Sequence, residues 1–155
     1  MIIWRGQVLK EEIKARLVKH VAFLEEEIKD YAYFGQVTWN DYMANRSTRR
    51  DLERWIENII NSSIDIAKII LSSEGISLSD TYREVVLSLS LVKEFNNEEA
   101  EELSKWVRFR NIISHEYLDI KWTSMKRFIA ETEQLYKRFL NNAKEYVKKK
   151  LQEDK

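Results

Sequence analysis

Cysteine and proline are both absent from this chain, and glycine occurs only three times in 155 residues. Without cysteine there is no Cys cluster to hold zinc, and the H-E-x-x-H pattern is missing as well. The sequence has neither a P-loop nor a Gly-rich dinucleotide turn. Zinc chemistry, ATP-driven work and redox functions therefore find no support, and neither a metal nor a cofactor is expected. No run approaches the roughly 18 consecutive apolar residues of a membrane span, so no membrane partner is expected. The opening Met1-Ile2-Ile3-Trp4-Arg5 lacks the long apolar stretch and the small-residue cleavage site of a signal peptide. With the absence of cysteine, this sets an expectation of a cytoplasmic location. Net charge is lacking too: 26 basic and 26 acidic residues cancel. No global field draws the protein onto nucleic acid, and any RNA contact has to be local.

What is present is a chain 44% hydrophobic and 34% charged, of 18.7 kDa, which suits one domain over residues 1–155 with a core of its own. Ile13, Leu17, Leu24, Ile28 and Tyr31 recur along one stripe and predict a helix over 7–33, with Gly35 as its C-terminal cap. His20 falls inside that stripe and reads as a core histidine rather than a second acid-base group. Residues 36–46 form a connector with room for a helical turn, carrying Trp39, Tyr42 and Met43. From 47 to 73, Leu52, Ile56, Ile59, Ile66 and Ile70 keep helical spacing, widened by Trp55, Ile60 and Ala67, so this helix should be covered on more than one side. Gly75 marks its end, and a shorter helix comes next over 81–91.

Asn96-Asn97-Glu98-Glu99 places an N-cap residue three before a glutamate and starts a helix that runs through Leu103, Trp106 and Val107. Residues 118–121 read as a break. Met125, Ile129, Thr132, Leu135, Phe139, Ala143 and Tyr146 then trace another long helix with a basic end over about 144–155. With no alternating strand pattern and no internal repeat, the fold class is all-α, an antiparallel four-helix bundle with an additional short helix. Its aromatic surface exceeds what these helices can readily enclose, so a homodimer is expected.

Two local basic groups stand out. Lys144, Lys148, Lys149 and Lys150 read as a solvated face complementing the dipole of the last helix. Arg46, Arg49, Arg50 and Arg54 are the better candidates for RNA binding.

The densest chemistry lies in Arg110-Asn111-Ile112-Ile113-Ser114-His115-Glu116-Tyr117. On an ideal continuous helix Arg110 falls about 20° from Leu103, inside an apolar stripe, and His115 about 140° from Arg110. A guanidinium cannot lose its proton, so burial there calls for a carboxylate, a phosphate or an aromatic face. Arg110 could simply pair with a carboxylate such as Asp65, and His115 could cap a helix end. Ser114 reads as a packing or capping serine, since nothing marks it as a nucleophile.

The pattern R-x-x-x-x-H-x-Y at the end of a helix in a small helical chain resembles the HEPN superfamily, and HepT-type toxins most. The resemblance extends to Arg49-Arg50-Asp51-Leu52-Glu53-Arg54, to Ser63-Ile64-Asp65-Ile66-Ala67-Lys68 and to Thr81-Tyr82-Arg83-Glu84, covering roughly residues 46–120. It implies a dimeric ribonuclease that cleaves RNA without metal. His115 would serve as the base, since an imidazole with an unperturbed pKa of about 6.5 can take a proton from a ribose 2′-hydroxyl near neutrality. Arg110 would answer the charge of the phosphorane. Asn111 would support them, and a two-fold dimer would bring two copies of Arg110 and His115 into one cleft. The resemblance further implies that Tyr117 is adenylylated by a partner minimal nucleotidyltransferase antitoxin, which silences the toxin. Either tRNA or mRNA could be the substrate. The alternative is a non-catalytic HEPN module that binds nucleotide or partners a nucleotidyltransferase.

Overall fold

Helix α4 (Arg46–Ser73) is the axis of the structure, a computed structural model that describes residues 2–153, with side chains described over 10–150. Its apolar positions are buried on almost every side, from Leu52 and Trp55 through Ile59, Ile60 and Ile66 to Leu71. The widened apolar arc is the reason, and α4 packs against α1 (Ile2–Ile28), α3 (Trp39–Ala44), α5 (Tyr82–Leu87), α7 (Phe109–His115) and α8 (Leu118–Glu153). The remaining helices are α2 (Tyr31–Gly35) and α6 (Asn97–Trp106), with a 3₁₀ turn over Ser88–Leu91. Among the described residues there is no strand, and no helix is long and apolar enough to cross a membrane. The all-α expectation holds.

Sequence signals set most of the boundaries. Asn45 opens α4 by accepting from the amides of Ser47 and Thr48 at 3.0 and 3.2 Å. At the other end Gly75 takes φ +71°, the left-handed conformation that a side chain disfavours. There the Ile76 amide donates to Leu71 O at 2.9 Å and the Gly75 amide to Ser72 O at 3.1 Å, closing the last turn in a Schellman motif. Asn96 accepts from the Glu99 amide at 3.1 Å and starts α6 as its spacing predicts. The connector over 36–46 contains α3, opened by a reciprocal cap in which the Thr38 hydroxyl accepts from the Asp41 amide and the Asp41 carboxylate accepts from the Thr38 amide. That bond from the Thr38 amide holds the Asp41 carboxyl below the usual carboxylate range.

Three boundaries differ from the pattern. The helix expected over 7–33 is two helices, α1 and α2, separated by a turn at Lys29 and Asp30. The Lys29 and Asp30 amides bond Glu26 O and Glu27 O at 3.2 and 3.1 Å, closing α1 in three-residue turns, and the Trp55 indole donates to Glu27 O as well at 2.7 Å. Gly35 is not a left-handed cap: α2 ends with it, and the cap, Gln36, stays in the right-handed region. The break expected at 118–121 lies earlier, at Glu116 and Tyr117, and Leu118 already begins α8.

The core is one cluster whose aromatic rings pass from helix to helix. Trp55 stacks on Phe34 at 4.6 Å and meets Tyr31 edge-on at 4.8 Å. Phe128 of α8 touches Trp55 at 6.3 Å, and it also meets Trp106 and Phe109, each at 5.6 Å between centroids. This relay fixes the start of α7 against the long helices, with Phe109 and Ile113 as its buried anchors.

Within the core the Tyr31 phenol lies 2.7 Å from Thr132 Oγ1, and Thr132 itself donates to Phe128 O at 2.6 Å. The Thr132 proton is therefore spent, so Tyr31 is the donor in that pair. Replacing Thr132 by Val leaves the Tyr31 hydroxyl buried without an acceptor, and denaturant unfolding should report a loss of about 1–3 kcal/mol. The double variant Tyr31→Phe/Thr132→Val should recover most of that loss, because no orphaned hydroxyl remains.

Candidate active site

The motif helix is not continuous with α6. Val107 and Arg108 form a turn in which the Arg110 amide bonds Val107 O at 3.3 Å and the Asn111 amide bonds Arg108 O at 3.1 Å. These are i to i+3 bonds, which tighten the helix and rotate the turn C-terminal to them. Arg110, half-buried, faces α5. Its guanidinium carbon lies 5.0 Å from the centre of the Tyr82 ring. The Lys68 ammonium, from α4, lies 4.5 Å from the same centre.

Of the three partners open to a half-buried arginine, the aromatic face is the one found. Among the described residues no carboxylate pairs with Arg110, so the pairing with Asp65 is not formed, and none pairs with Lys68. The guanidinium N–H groups have no hydrogen-bond acceptor among these residues, which leaves its fork available to an anion. The Arg110 backbone is held by Ser114, whose hydroxyl donates to Arg110 O at 3.0 Å. Ser114 is therefore a helix-packing serine, as its position suggests.

His115 is the last residue of α7 and is exposed. It does not cap the helix: the Glu116 amide closes the end by donating to Ile112 O at 3.1 Å. Glu116 is extended, with φ −90° and ψ 163°, and this single residue turns the chain from α7 into α8. Tyr117 stands at the corner with 82% of its surface exposed, so its phenol is open to another macromolecule. Asn111, one residue beyond Arg110, is exposed too. Arg110, His115 and Tyr117 thus share one end of the bundle, but no hydrogen bond or ion pair joins Arg110 to His115 within the chain.

The other basic and titratable residues separate into roles. Arg49 donates to Tyr42 O at 3.2 Å and Met43 O at 3.5 Å, satisfying carbonyls near the end of α3. Arg46, Arg50 and Arg54 are exposed on α4. The lysines of the C-terminal end are tied down, Lys144 to Glu25, Lys148 to Glu145, Lys149 to Glu94 and Lys150 to Glu74. His20 is not a core residue. It is half-buried and lines a cleft of about 420 Å³ between α1 and α4 with Asn58, Asn61 and Asp65, because the edge of the α1 stripe meets the polar side of α4. Sequence reasoning missed Lys68 and Tyr82 as neighbours of Arg110, although both lie in the segments that carry the HEPN resemblance.

The bundle carries at one corner the Arg110, His115 and Tyr117 on which the resemblance to the HEPN superfamily rests. The HepT-like family, described as ribonuclease HepT-like, matches residues 24–143. The chain belongs to this family, within the HEPN superfamily. No curated protein is detectably similar in sequence. Among solved structures, the tri-AMPylated HEPN toxin of Shewanella oneidensis in complex with its MNT antitoxin superposes with a TM-score of 0.71 at 16% identity. The superposition covers 83% of this chain and 96% of that one. A toxin-antitoxin pair with AMP-PNP gives 0.71 at 15% identity, and a mutant MntA-HpeT toxin-antitoxin pair gives 0.72 at 16%, both with the same coverage. At these identities the likeness is one of fold.

The corner itself is braced from α4. Glu53 accepts from Lys121 of α8 at 2.9 Å, with side chains only 19% and 17% exposed, and from the buried Tyr42 phenol at 3.5 Å. The Lys121 amide in turn donates to Tyr117 O at 2.9 Å. Glu53→Gln should cost about 1–3 kcal/mol, because it leaves the Lys121 charge half-buried without its counter-ion. Hydrogen exchange should show faster exchange at residues 117–121, and unchanged exchange there would mean that the pair does not hold the corner.

Proposed function

We propose that the protein is a metal-independent endoribonuclease toxin working as a two-fold homodimer and controlled by a minimal nucleotidyltransferase antitoxin, with the cytoplasm as its compartment. One observation carries the reading: a half-buried Arg110 with no carboxylate partner, on the same short helix as an exposed His115. A permanent cation left open in this way is suited to a phosphate, and the imidazole beside it to proton transfer. Family membership and the folds of the toxin-antitoxin complexes support it.

In the proposed reaction His115 takes the proton of a ribose 2′-hydroxyl. The 2′-oxygen then bonds to phosphorus, the bond from phosphorus to the 5′-oxygen breaks, and the leaving oxygen takes a proton from the imidazolium of a second copy of His115. The products are a 2′,3′-cyclic phosphate and a 5′-hydroxyl. Arg110 meets the extra negative charge of the phosphorane, Asn111 orients the phosphate, and the exposed Arg46, Arg50 and Arg54 extend the RNA path, with Arg49 held mainly by its carbonyl bonds. The divergence of Arg110 and His115 within one chain favours a site completed by the dimer.

Cleavage of tRNA or mRNA should persist in EDTA and leave a 2′,3′-cyclic phosphate. His115→Ala and Arg110→Ala should each lower the rate by about 100-fold or more with the fold intact by circular dichroism. Because the reaction draws on both copies of His115, mixed dimers of wild-type and His115→Ala chains should be inactive too, so titrating the variant into the wild type should depress activity by more than dilution. A folded wild type that binds but never cuts RNA would leave the non-catalytic binding module in place of the nuclease.

Control would act through Tyr117. AMP added to its phenol brings bulk and negative charge to the corner, obstructing the cleft and engaging the cation meant for RNA. Incubation with the cognate nucleotidyltransferase, ATP and magnesium should add multiples of about 329 Da to the peptide holding Tyr117, with nuclease activity falling in step. Tyr117→Phe should block the addition, and equal labelling of that variant elsewhere, with equal inactivation, would overturn the assignment.

A further inference from the structure

Lys68 and Tyr82 come from different helices, yet they converge on Arg110. Two cations share one ring, with Lys68 Nζ at 4.5 Å and Arg110 Cζ at 5.0 Å from its centre. Like charges this near repel. Each is half-buried, and among the described residues neither has a carboxylate to relieve it. The ring quadrupole offers partial relief only, and Tyr82 is itself 46% exposed, so the group opens to solvent. Elsewhere this chain neutralises its half-buried lysines, Lys121 with Glu53 and Lys150 with Glu74. The Lys68 and Arg110 pair departs from that habit in the way an anion site would.

We infer that Lys68 is a phosphate-binding residue for the phosphate next to the scissile one, and that Tyr82 is a positioning residue that sets both cations along the strand. This rests on the ribonuclease reading, since it assigns Arg110 to the scissile phosphate. A single-stranded backbone presents successive phosphates to which two neighbouring cations can bind. Lys68, a compact point charge on a flexible stem, adds affinity, while the planar fork of Arg110 answers the reacting group. Tyr82 acts through its ring, whose face both cations approach, while its hydroxyl bonds neither of them.

The test is binding of a fluorescently labelled single-stranded oligoribonucleotide, monitored by anisotropy across about 50–200 mM salt, in a His115→Ala background that cannot cut. Lys68→Gln should weaken binding several-fold and lower the slope of log affinity against log salt by about 0.7 per site, the share of one phosphate contact on a single strand. Lys68→Arg should restore the slope. In the cleaving protein the Lys68→Gln loss should fall on KM rather than kcat, whereas Tyr82→Leu should raise KM and lower kcat, and Tyr82→Phe, which keeps the ring, should behave like the parent. A purely structural Lys68 would shift thermal stability and leave the salt slope alone.

If Lys68→Gln and the parent share one slope while the wild type cleaves RNA, this inference falls and the ribonuclease reading stands. If RNA is bound with a Lys68-dependent slope but never cleaved, the phosphate contact stands and the ribonuclease reading falls. No measurable RNA binding by the folded parent would overturn both.

Discussion

A guanidinium cannot discharge itself when a fold half-buries it, and the arrangement around Arg110 is a consequence of that constraint. The chain offers it the ring of Tyr82 and no carboxylate. Around it the backbone tightens between Val107 and Asn111, which separates α6 from α7. The same turn leaves Phe109 and Ile113 pointing into the core, so one rotation serves packing and exposure together.

The rigid part of the molecule lies behind this corner. Trp55 and Phe128 join rings from α2, α6 and α7 to the two longest described helices, α4 and α8, and the Glu53–Lys121 pair fixes the first turn of α8. The charged groups of the proposed reaction stand on short α7 and at its end, while the cations' platform stands on short α5. Short elements carry the chemistry and long ones hold them, which suits a site that must keep its geometry at an exposed edge.

Most of the architecture was legible because it is local. Helical spacing located α4 and α8, Asn96 and Gly75 marked a start and a stop by their own hydrogen bonding, and the R-x-x-x-x-H-x-Y pattern marked the corner. What escaped depended on other elements. The turn at Lys29 and Asp30 is packed beside the Trp55 bond to Glu27 O, a contact spanning 28 positions. A wheel drawn on one ideal helix ran α6 straight into the motif, and three-residue hydrogen bonds at Val107 and Arg108 interrupt it. His20 looked buried because its own stripe is apolar, but the neighbouring face of α4 is polar there. The convergence of Lys68, Tyr82 and Arg110 is a property of three helices, so periodicity along any one of them is silent about it.

Tyr117 bears on the history of such a chain as well as on its chemistry. Its side chain is 82% exposed and lies outside the buried core, so exchanging it makes little demand on folding. Residues of this kind are free to drift under selection for a partner alone. Under the proposed control, a lineage that lost such a regulator could discard the tyrosine while keeping the bundle, and one that acquired a different regulator could rewrite this corner without repacking a helix.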